Sequence, residues 1–398
     1  MVILHVITRL ILGGAQQNTV MSCAAQVAAG HEVHLAYGPI FGPEGSMIDE
    51  ARASGATLHE IPTMVRELAP VTDWRCYRSL RALVEELSPD VVHSHSSKAG
   101  ILARGAAWAE TQGGAFWSHA ADPTLADGKV VHTVHGLPFH NEQSKLIHRL
   151  YVGLERWAAK RCHHLIAITP QMVEAFVAEQ IAPAEKFTVV PSGVNVAAFT
   201  PRPSARVAMR ERYGIPAGAK VVGHVGRLDP LKGHADLLDV LPTLGDDTWL
   251  LFVGDGFGRA EVEAHAAMAR GRTVITGRVD LAAVPDHLAA MDVMALPSYQ
   301  EGQSRTLVEA LLCGVPVVAY AVGGIPDVVR DGKTGRLVPV GDHDALAGAL
   351  RATLQDPSGS AAMAAAGQAD VAERFSAEQM NQSLLALYEA LVNGPPAP

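Results

Sequence analysis

Residues 2–7, VILHVI, form a continuous apolar run of the kind a parallel strand buried on both faces requires. A glycine turn and a helical stretch over 15–29 follow, then EVHLAY (32–37). The unit recurs through TLHEI (57–61), DVVHSH (90–95), KVVHTVH (129–135), HLIAIT (164–169) and FTVVP (187–191). Segments with three- and four-residue apolar spacing separate the runs, notably 75–87 and 143–161. Such alternation predicts right-handed βαβ units around a parallel sheet. Residues 192–216 carry three prolines and no strand pattern, and read as a boundary. The alternation then restarts with KVVGHVGR (220–227) and a helix from about Lys232. WLLFVGDG (249–256), TVITGRV (273–279), VMALPS (293–298) and VPVVAY (315–320) supply further strands. The expected fold class is α/β, with two Rossmann-like doubly wound domains facing a cleft. The expected division is 1–195, 196–370, and a C-terminal helix with a loose tail over 371–398, the helix free to cross back. Residues 110–128 read as a loop insertion, and no solenoid-type repeat is present.

Composition narrows the class. At 398 residues and 42.0 kDa the chain exceeds one ordinary core of ~150 residues. Apolar residues at 48%, charged residues at 18% and a mean hydropathy of +0.14 exclude disorder. A formal charge of −9 and a pI near 6.0 argue against a nucleic-acid partner. Cys23, Cys76, Cys162 and Cys313 form no CxxC pair, so neither a disulfide framework nor a zinc site is expected. The start, MVILHVITRLILGGAQQ, lacks a charged leader and is broken by Arg9, so it reads as a strand and glycine loop rather than a signal peptide. No apolar stretch reaches 18 residues. The expected location is cytoplasmic, with attachment at the inner face of the membrane left open.

Ligands of doubly wound sheets bind beyond the carboxyl ends of the strands, and the candidate chemistry lies there. Arg227 ends one strand and Lys232-Gly233 follows, a fork and a point charge suited to a diphosphate, or else two surface cations. In LPSYQEGQSRTLVEALLCG (296–314), Glu301 precedes a helix that contains Glu309. Gly302 allows close backbone approach, and the amides of Gln303 and Ser304 point at anionic oxygens. Glu301 is placed to accept from sugar hydroxyls and Glu309 from a ribose. The alternative is structural, since Thr306 and Glu309 also satisfy a capping box.

R-x4-K-G, V-G-x-G (Val253 to Gly256), E-x7-E and A-L-x-x-G-x-P-V-V together resemble the family-4 glycosyltransferases of GT-B fold. Gly13-Gly14-Ala15, His135-Gly136 and VGGIPDVVRDGKTGRLVP (322–339) agree with that family over nearly the whole chain. The resemblance implies a retaining, metal-independent enzyme whose donor is a nucleotide diphosphate sugar, with no further cofactor. It implies an acceptor-side N-terminal domain and a donor-binding second domain. Arg227 and Lys232 would neutralise the leaving diphosphate, Glu301 would hold donor-sugar hydroxyls, and Glu309 the ribose. Gly302, Gln303 and Ser304 would complete the phosphate and sugar contacts, and Arg278 and Val279 would lie beside the base. Gly14 would let the first loop approach the donor, and His135 would bond a donor hydroxyl and stabilise an oxocarbenium-like transition state. Proton transfer would fall to the departing phosphate, with Glu301 as nucleophile the alternative.

Two positions depart from the family: Gln303, where an aromatic or aliphatic residue is common, and Ser192-Gly-Val-Asn195, in place of Asn-Gly-Val-Asp. Nine of the eighteen histidines fall between 93 and 164. His93 and His95 share one strand face, a conceivable metal pair for which spacing indicates no third ligand. Lys145, Arg149, Arg156 and Lys160 form a basic stripe on the 143–161 helix, a solvated face or a surface for anionic lipid, with Glu155 diluting it. Lys98 in HSSKAG is a candidate for an acceptor phosphate. Gly254-Asp-Gly256-Phe-Gly258-Arg259 mimics a dinucleotide fingerprint but lacks its third glycine, which argues against a dehydrogenase. The expected function is sugar transfer to a lipid-linked or polysaccharide intermediate of the cell envelope. The rivals are a nucleotide-sugar 2-epimerase of the same fold and a catalytically silent nucleotide-binding partner. The R-x4-K and E-x7-E pairs speak against both.

Overall fold

The computed structural model describes residues 1–40, 45–112, 128–139 and 143–394. Two compact units divide the chain: 1–193 with 377–398, and 194–376. The separation thus falls two residues before the expected 195/196 boundary. The C-terminal helix, expected as a segment of its own from 371, belongs to the first unit from Ala377.

In the first unit, β1 (Val2–Arg9), β2 (Glu32–Gly38), β3 (Thr57–Glu60), β4 (Val91–His95), β5 (Lys129–Val134), β6 (His164–Ala167) and β7 (Phe187–Val189) make one sheet of order 3-2-1-4-5-6-7. Every pairing is parallel. The order reverses between β1 and β4, so the loops after these two strands diverge from a common point. β1, β2 and β4 are buried almost end to end because helices cover both faces. One face packs on the helices Pro70–Leu87, Ser97–Gln112 and Lys145–Ala159 through Leu80, Leu83, Ala103, Ala106 and Val152. On the other, Met380, Leu384 and Tyr388 of the helix Ala377–Asn393 close over Ile3, Val91, Val131 and Ile166.

The second unit repeats the plan with β8 (Lys220–Val225), β9 (Thr248–Val253), β10 (Thr273–Ile275), β11 (Val293–Leu296), β12 (Val317–Tyr320) and β13 (Arg336–Val338). Their order is 10-9-8-11-12-13, again parallel, with the reversal between β8 and β11. β13 has no counterpart in the apolar pattern: it is three residues long and opens on Arg336. The helix expected from Lys232 starts later. Lys232 closes a 3-10 turn, Pro230–Lys232, capped by Asp229, and the α-helix runs His234–Val240. The alanine-rich end is two helices, Pro357–Arg374 and Ala377–Asn393, broken at Phe375-Ser376. Of the presumed insertion, 110–112 complete the helix Ser97–Gln112 and residues 113–127 lie outside the described residues.

One buried ion pair fastens two helices of the first unit. Arg104 Nη2 donates to Glu155 Oε2 at 2.7 Å, and its Nε to the Gly100 carbonyl at 2.9 Å. Both side chains are inside, at 0% and 2% exposure. Glu155 therefore faces the core and does not dilute the basic stripe on the opposite side of its helix. A buried cation left alone is costly, so Glu155→Ala should destabilise the chain by about 3–5 kcal/mol in urea unfolding. The paired change Arg104→Met with Glu155→Leu should recover most of that loss. Equal stability of the single and double variants would contradict this role.

Candidate functional site

The reversal between β8 and β11 brings the loops after these strands together, and Lys232 and Glu301 meet there. Lys232 Nζ donates to Glu301 Oε1 at 2.5 Å, and Ser298 Oγ to the same oxygen at 3.1 Å. Two glycines make this approach possible. Gly233, at φ 68°, lies so close to β11 that a Cβ would stand 1.9 Å from the Pro297 carbonyl oxygen. Gly323, at φ 52°, would place a Cβ 1.9 Å from the Glu301 carbonyl oxygen. The Gly324 amide donates to the Gly302 carbonyl at 2.9 Å, so residues 301–302 rest on the loop after β12. The Tyr299 amide donates to the Leu231 carbonyl at 2.9 Å and ties the β11 loop to the Lys232 turn.

The helix Arg305–Leu312 starts directly beyond this turn. Ser304 is its N-cap, accepting from the Leu307 amide at 3.4 Å, so the capping box drawn on Thr306 and Glu309 is not formed. Gln303 and Ser304 are buried at the helix start. Glu309 sits inside the helix, with its Oε1 4.0 Å from Arg305 Nε. Burial pushes its carboxyl up to about 7, and the Arg305 cation only partly opposes the shift. Arg227 stands exposed just past β8. Arg278 and Val279 follow β10, Arg278 exposed and Val279 packed on the core. The Gly254–Arg259 loop is held by Arg259, paired with Asp255 at 3.0 Å and Glu263 at 2.7 Å.

Spacing did not reveal the cluster behind the Glu301 turn. Asp236, buried on the helix after Lys232, accepts from Tyr299 at 2.9 Å and Tyr320 at 2.6 Å, and lies 3.4 Å from His343. Tyr299, two residues before Glu301, is the one sequence clue.

In the first unit Gly14 opens the helix Gly14–Ala28 beyond β1, after Gly13 in an extended conformation. His135 lies one residue past β5, half-buried, with its Nε2 3.0 Å from His95 Nδ1. The third ring missing from the His93–His95 pair is His5: the ligand atoms of the three lie within 4.8 Å of one another. β1 pairs with β4 so that His5 stands opposite His93, a register invisible to linear spacing. Lys98 is paired with Asp73 at 2.5 Å and donates to the Glu67 carbonyl. Asn18 donates to the family-divergent Ser192 at 3.4 Å. Lys145, Arg149, Arg156 and Lys160 are exposed, beside Leu146, Ile147 and Leu150 at 80%, 46% and 50% exposure.

Residues 206–370 match the family described as Glycosyl transferases group 1, and residues 12–198 match Glycosyltransferase Family 4. The chain is 32% identical over 254 residues to a 2-deoxystreptamine glucosyltransferase of Streptomyces kanamyceticus, covering 62% of this chain and 66% of that one. It is 30% identical over 299 residues to an Escherichia coli UDP-Gal:alpha-D-GlcNAc-diphosphoundecaprenol alpha-1,3-galactosyltransferase, covering 73% of each. The chain spans 58% to 66% of the length of the first curated relatives it matches. Among solved structures, Anabaena Alr3699/HepE in complex with UDP and glucose superposes with a TM-score of 0.81 at 23% identity, over 98% of this chain and 100% of that one.

The environment of Glu309 sets a pH dependence. Its folded-state pKa, about 7, stands above the unfolded 4.5, so the folded chain holds a proton that the unfolded chain has released. Stability from this group is full below about 4.5, falls as pH rises toward about 7, and is constant above. Between pH 5 and 8 the wild type should lose on the order of 3 kcal/mol relative to Glu309→Gln. Parallel stability curves for the two proteins, measured by denaturant unfolding, would refute the shift.

Proposed function

Since the chain belongs to the family-4 glycosyltransferases, of GT-B fold, we propose that it moves a sugar from a nucleotide diphosphate sugar to an acceptor hydroxyl with retention of configuration. The observation that carries this reading is the Lys232–Glu301 contact at the point where the second sheet reverses, the place where doubly wound folds bind nucleotides. The UDP and glucose held by the Anabaena structure support a uridine donor.

In this reading Lys232 and Arg227 carry the positive charge that stabilises the departing diphosphate, so the reaction proceeds without a metal or other cofactor. Glu301 accepts from donor-sugar hydroxyls, and Glu309 from the ribose. The amides of Gly302, Gln303 and Ser304 meet the phosphate and sugar, Arg278 and Val279 flank the base, and Gly14 gives the first loop room at the donor. The bond between the anomeric carbon and the β-phosphate oxygen breaks, and its electron pair stays on the phosphate. The acceptor oxygen then forms the new bond on the same face, and its proton passes to that phosphate oxygen. His135 accepts from a donor hydroxyl and supports the oxocarbenium-like charge.

The acceptor is a lipid-linked diphosphate sugar of envelope or exopolysaccharide assembly, a reading supported by the undecaprenol-linked acceptor in the name of the E. coli relative. No helix among the described residues is long and apolar enough to cross a membrane. Contact with lipid is assigned to the helix Lys145–Ala159, whose exposed Leu146, Ile147 and Leu150 lie among Lys145 and Arg149.

Purified protein offered UDP-, GDP- and ADP-sugars should slowly release nucleotide from one of them. Lys232→Ala and Glu301→Ala should reduce that release by about 10²- to 10³-fold while keeping the fold. Wild-type turnover in both variants would remove the donor site. For the lipid face, Leu146→Ser with Leu150→Ser should abolish cosedimentation with phosphatidylglycerol vesicles, and added salt should weaken binding of the wild type. Equal sedimentation of variant and wild type would remove the membrane assignment.

A further inference from the structure

The turn that carries Glu301 has no regular structure between the end of β11 at Leu296 and the helix that starts at Arg305. One of its side chains is nevertheless tied to a buried carboxylate for which sugar transfer supplies no role. Asp236 Oδ2 accepts from Tyr299 Oη at 2.9 Å and from Tyr320 Oη at 2.6 Å, and His343 Nε2 stands 3.4 Å from the same oxygen. Four segments of the second unit meet on that one atom: the helix His234–Val240, the turn after β11, the last residue of β12 and the helix His343–Gln355. We propose that Asp236 is a positioning residue for Glu301: by holding the Tyr299 side chain it fixes the turn after β11 against the helix that follows Lys232, and so sets the spacing between Lys232 and Glu301. The proposal rests on the reading above in which those two residues meet the donor.

The two phenols have different parts in this arrangement. Tyr320 is wholly buried at the end of β12, so the sheet fixes it and its bond anchors the carboxylate. Tyr299 is 40% exposed and sits in the turn, two residues before Glu301, so its hydroxyl bond is what draws the ring inward. The rings meet edge to face with centroids 5.8 Å apart. A phenol donating to a carboxylate makes a charge-assisted hydrogen bond, stronger than one between neutral groups. Burial raises both phenols above their ordinary range and the neighbouring Asp236 adds to the shift, so each keeps its proton and remains a donor. Asp236 is itself buried, where a carboxylate stripped of donors would be costly.

From Tyr299 the constraint reaches Glu301 through the backbone. The Tyr299 amide donates to the Leu231 carbonyl and the Gly324 amide to the Gly302 carbonyl, both at 2.9 Å, and both bonds break if the turn lifts. Lys232 lies directly before the helix that holds Asp236, so it stays with that helix when the turn moves. Loss of the Asp236–Tyr299 contact therefore changes the spacing between Lys232 and Glu301 and does not carry the two residues along together. Charged groups aimed at a developing charge act only when they are held in place, so an error in that spacing appears in kcat. Asp236 works here through Tyr299 and is not a catalytic residue.

The test is amide hydrogen exchange in the full chain, read by mass spectrometry on peptides covering 297–304 and 321–326. Tyr299→Phe deletes one hydroxyl of a partly exposed ring and leaves the ring in place, so the variant keeps its fold. Exchange in both peptides should quicken about ten- to a hundredfold, the weight of a hydrogen bond to a charged group. Asp236→Asn should quicken the same peptides, and adding it to Tyr299→Phe should change them little further, because the two residues act through one contact. With UDP-glucose as the donor probe, Tyr299→Phe should lower kcat for nucleotide release about tenfold with KM little changed. Exchange unchanged in Tyr299→Phe, additive effects in the double variant, or faster exchange with wild-type kcat would each overturn the proposal. Absence of nucleotide release by the wild type from UDP-, GDP- and ADP-sugars alike is a separate result: it would withdraw the donor reading, while exchange would still decide whether Asp236 holds the turn.

Discussion

A parallel strand covered by helices on both sides has no face along its length where a polar side chain can meet water. Both sheets of this chain obey that constraint, and it decides where chemistry can be placed. The central strands β1, β4, β8 and β11 are buried throughout or nearly so, and the charged and glycine-rich residues appear within a few positions of their carboxyl ends. At the reversal between β8 and β11 the constraint yields a polar contact, since two loops that diverge on either side bring Lys232 and Glu301 to 2.5 Å. Polar residues that stay inside the strands must be matched there. Hence the histidines of β1 and β4 bond to one another, to Gln26, and to Tyr388 and Thr133, and burial keeps them uncharged.

Three opposite-charge pairs illustrate how burial separates structural from functional electrostatics. Arg104 and Glu155 are fully enclosed, in direct contact and further bonded to the backbone, so nothing from outside can compete for either. Lys232 and Glu301 are also in contact but lie at a strand end with part of each side chain in solvent. That partial exposure leaves this pair, unlike the first, open to competition from solutes. Arg305 and Glu309 stand 4.0 Å apart, too far for a strong bond, and burial outweighs their attraction. A carboxyl in that state ionises readily only when something supplies hydrogen bonds to it.

The strands were legible because burial on both faces leaves a continuous apolar run, a signal that survives without knowledge of neighbours. β13 escaped it, being three residues long with Arg336 at its head. Of the E-x7-E and R-x4-K residues, the fold brings Lys232 and Glu301 into contact, through local structure that the spacings did not reveal. Gly233 in the left-handed region delays the helix past Lys232, and Ser304, not Thr306, takes the cap. What pattern could not supply was register. His5 opposes His93 only because β1 pairs with β4 at a sequence separation of 88, so a two-histidine motif concealed a larger cluster. Similarly, the sign of Glu155 suggested a diluted basic stripe until its side chain was found on the inner face with Arg104.

The same helix shows why periodicity alone leaves function open. Residues 145–159 bury Val152, Ala158 and Ala159 on one side, which accounts for the spacing that predicts a helix. Leu146, Ile147 and Leu150 fall outside that face and remain exposed near its start. A core requirement does not explain them, and three large aliphatic side chains in adjacent turns exceed the scattered apolar residues of an ordinary surface. Lys145 and Arg149 interleave with them, and Arg156, further along the helix, donates to the Glu179 carbonyl at 2.6 Å. Each unit thus carries its polar residues where its own packing lets them emerge, at the carboxyl ends of the strands and on the outer faces of the helices.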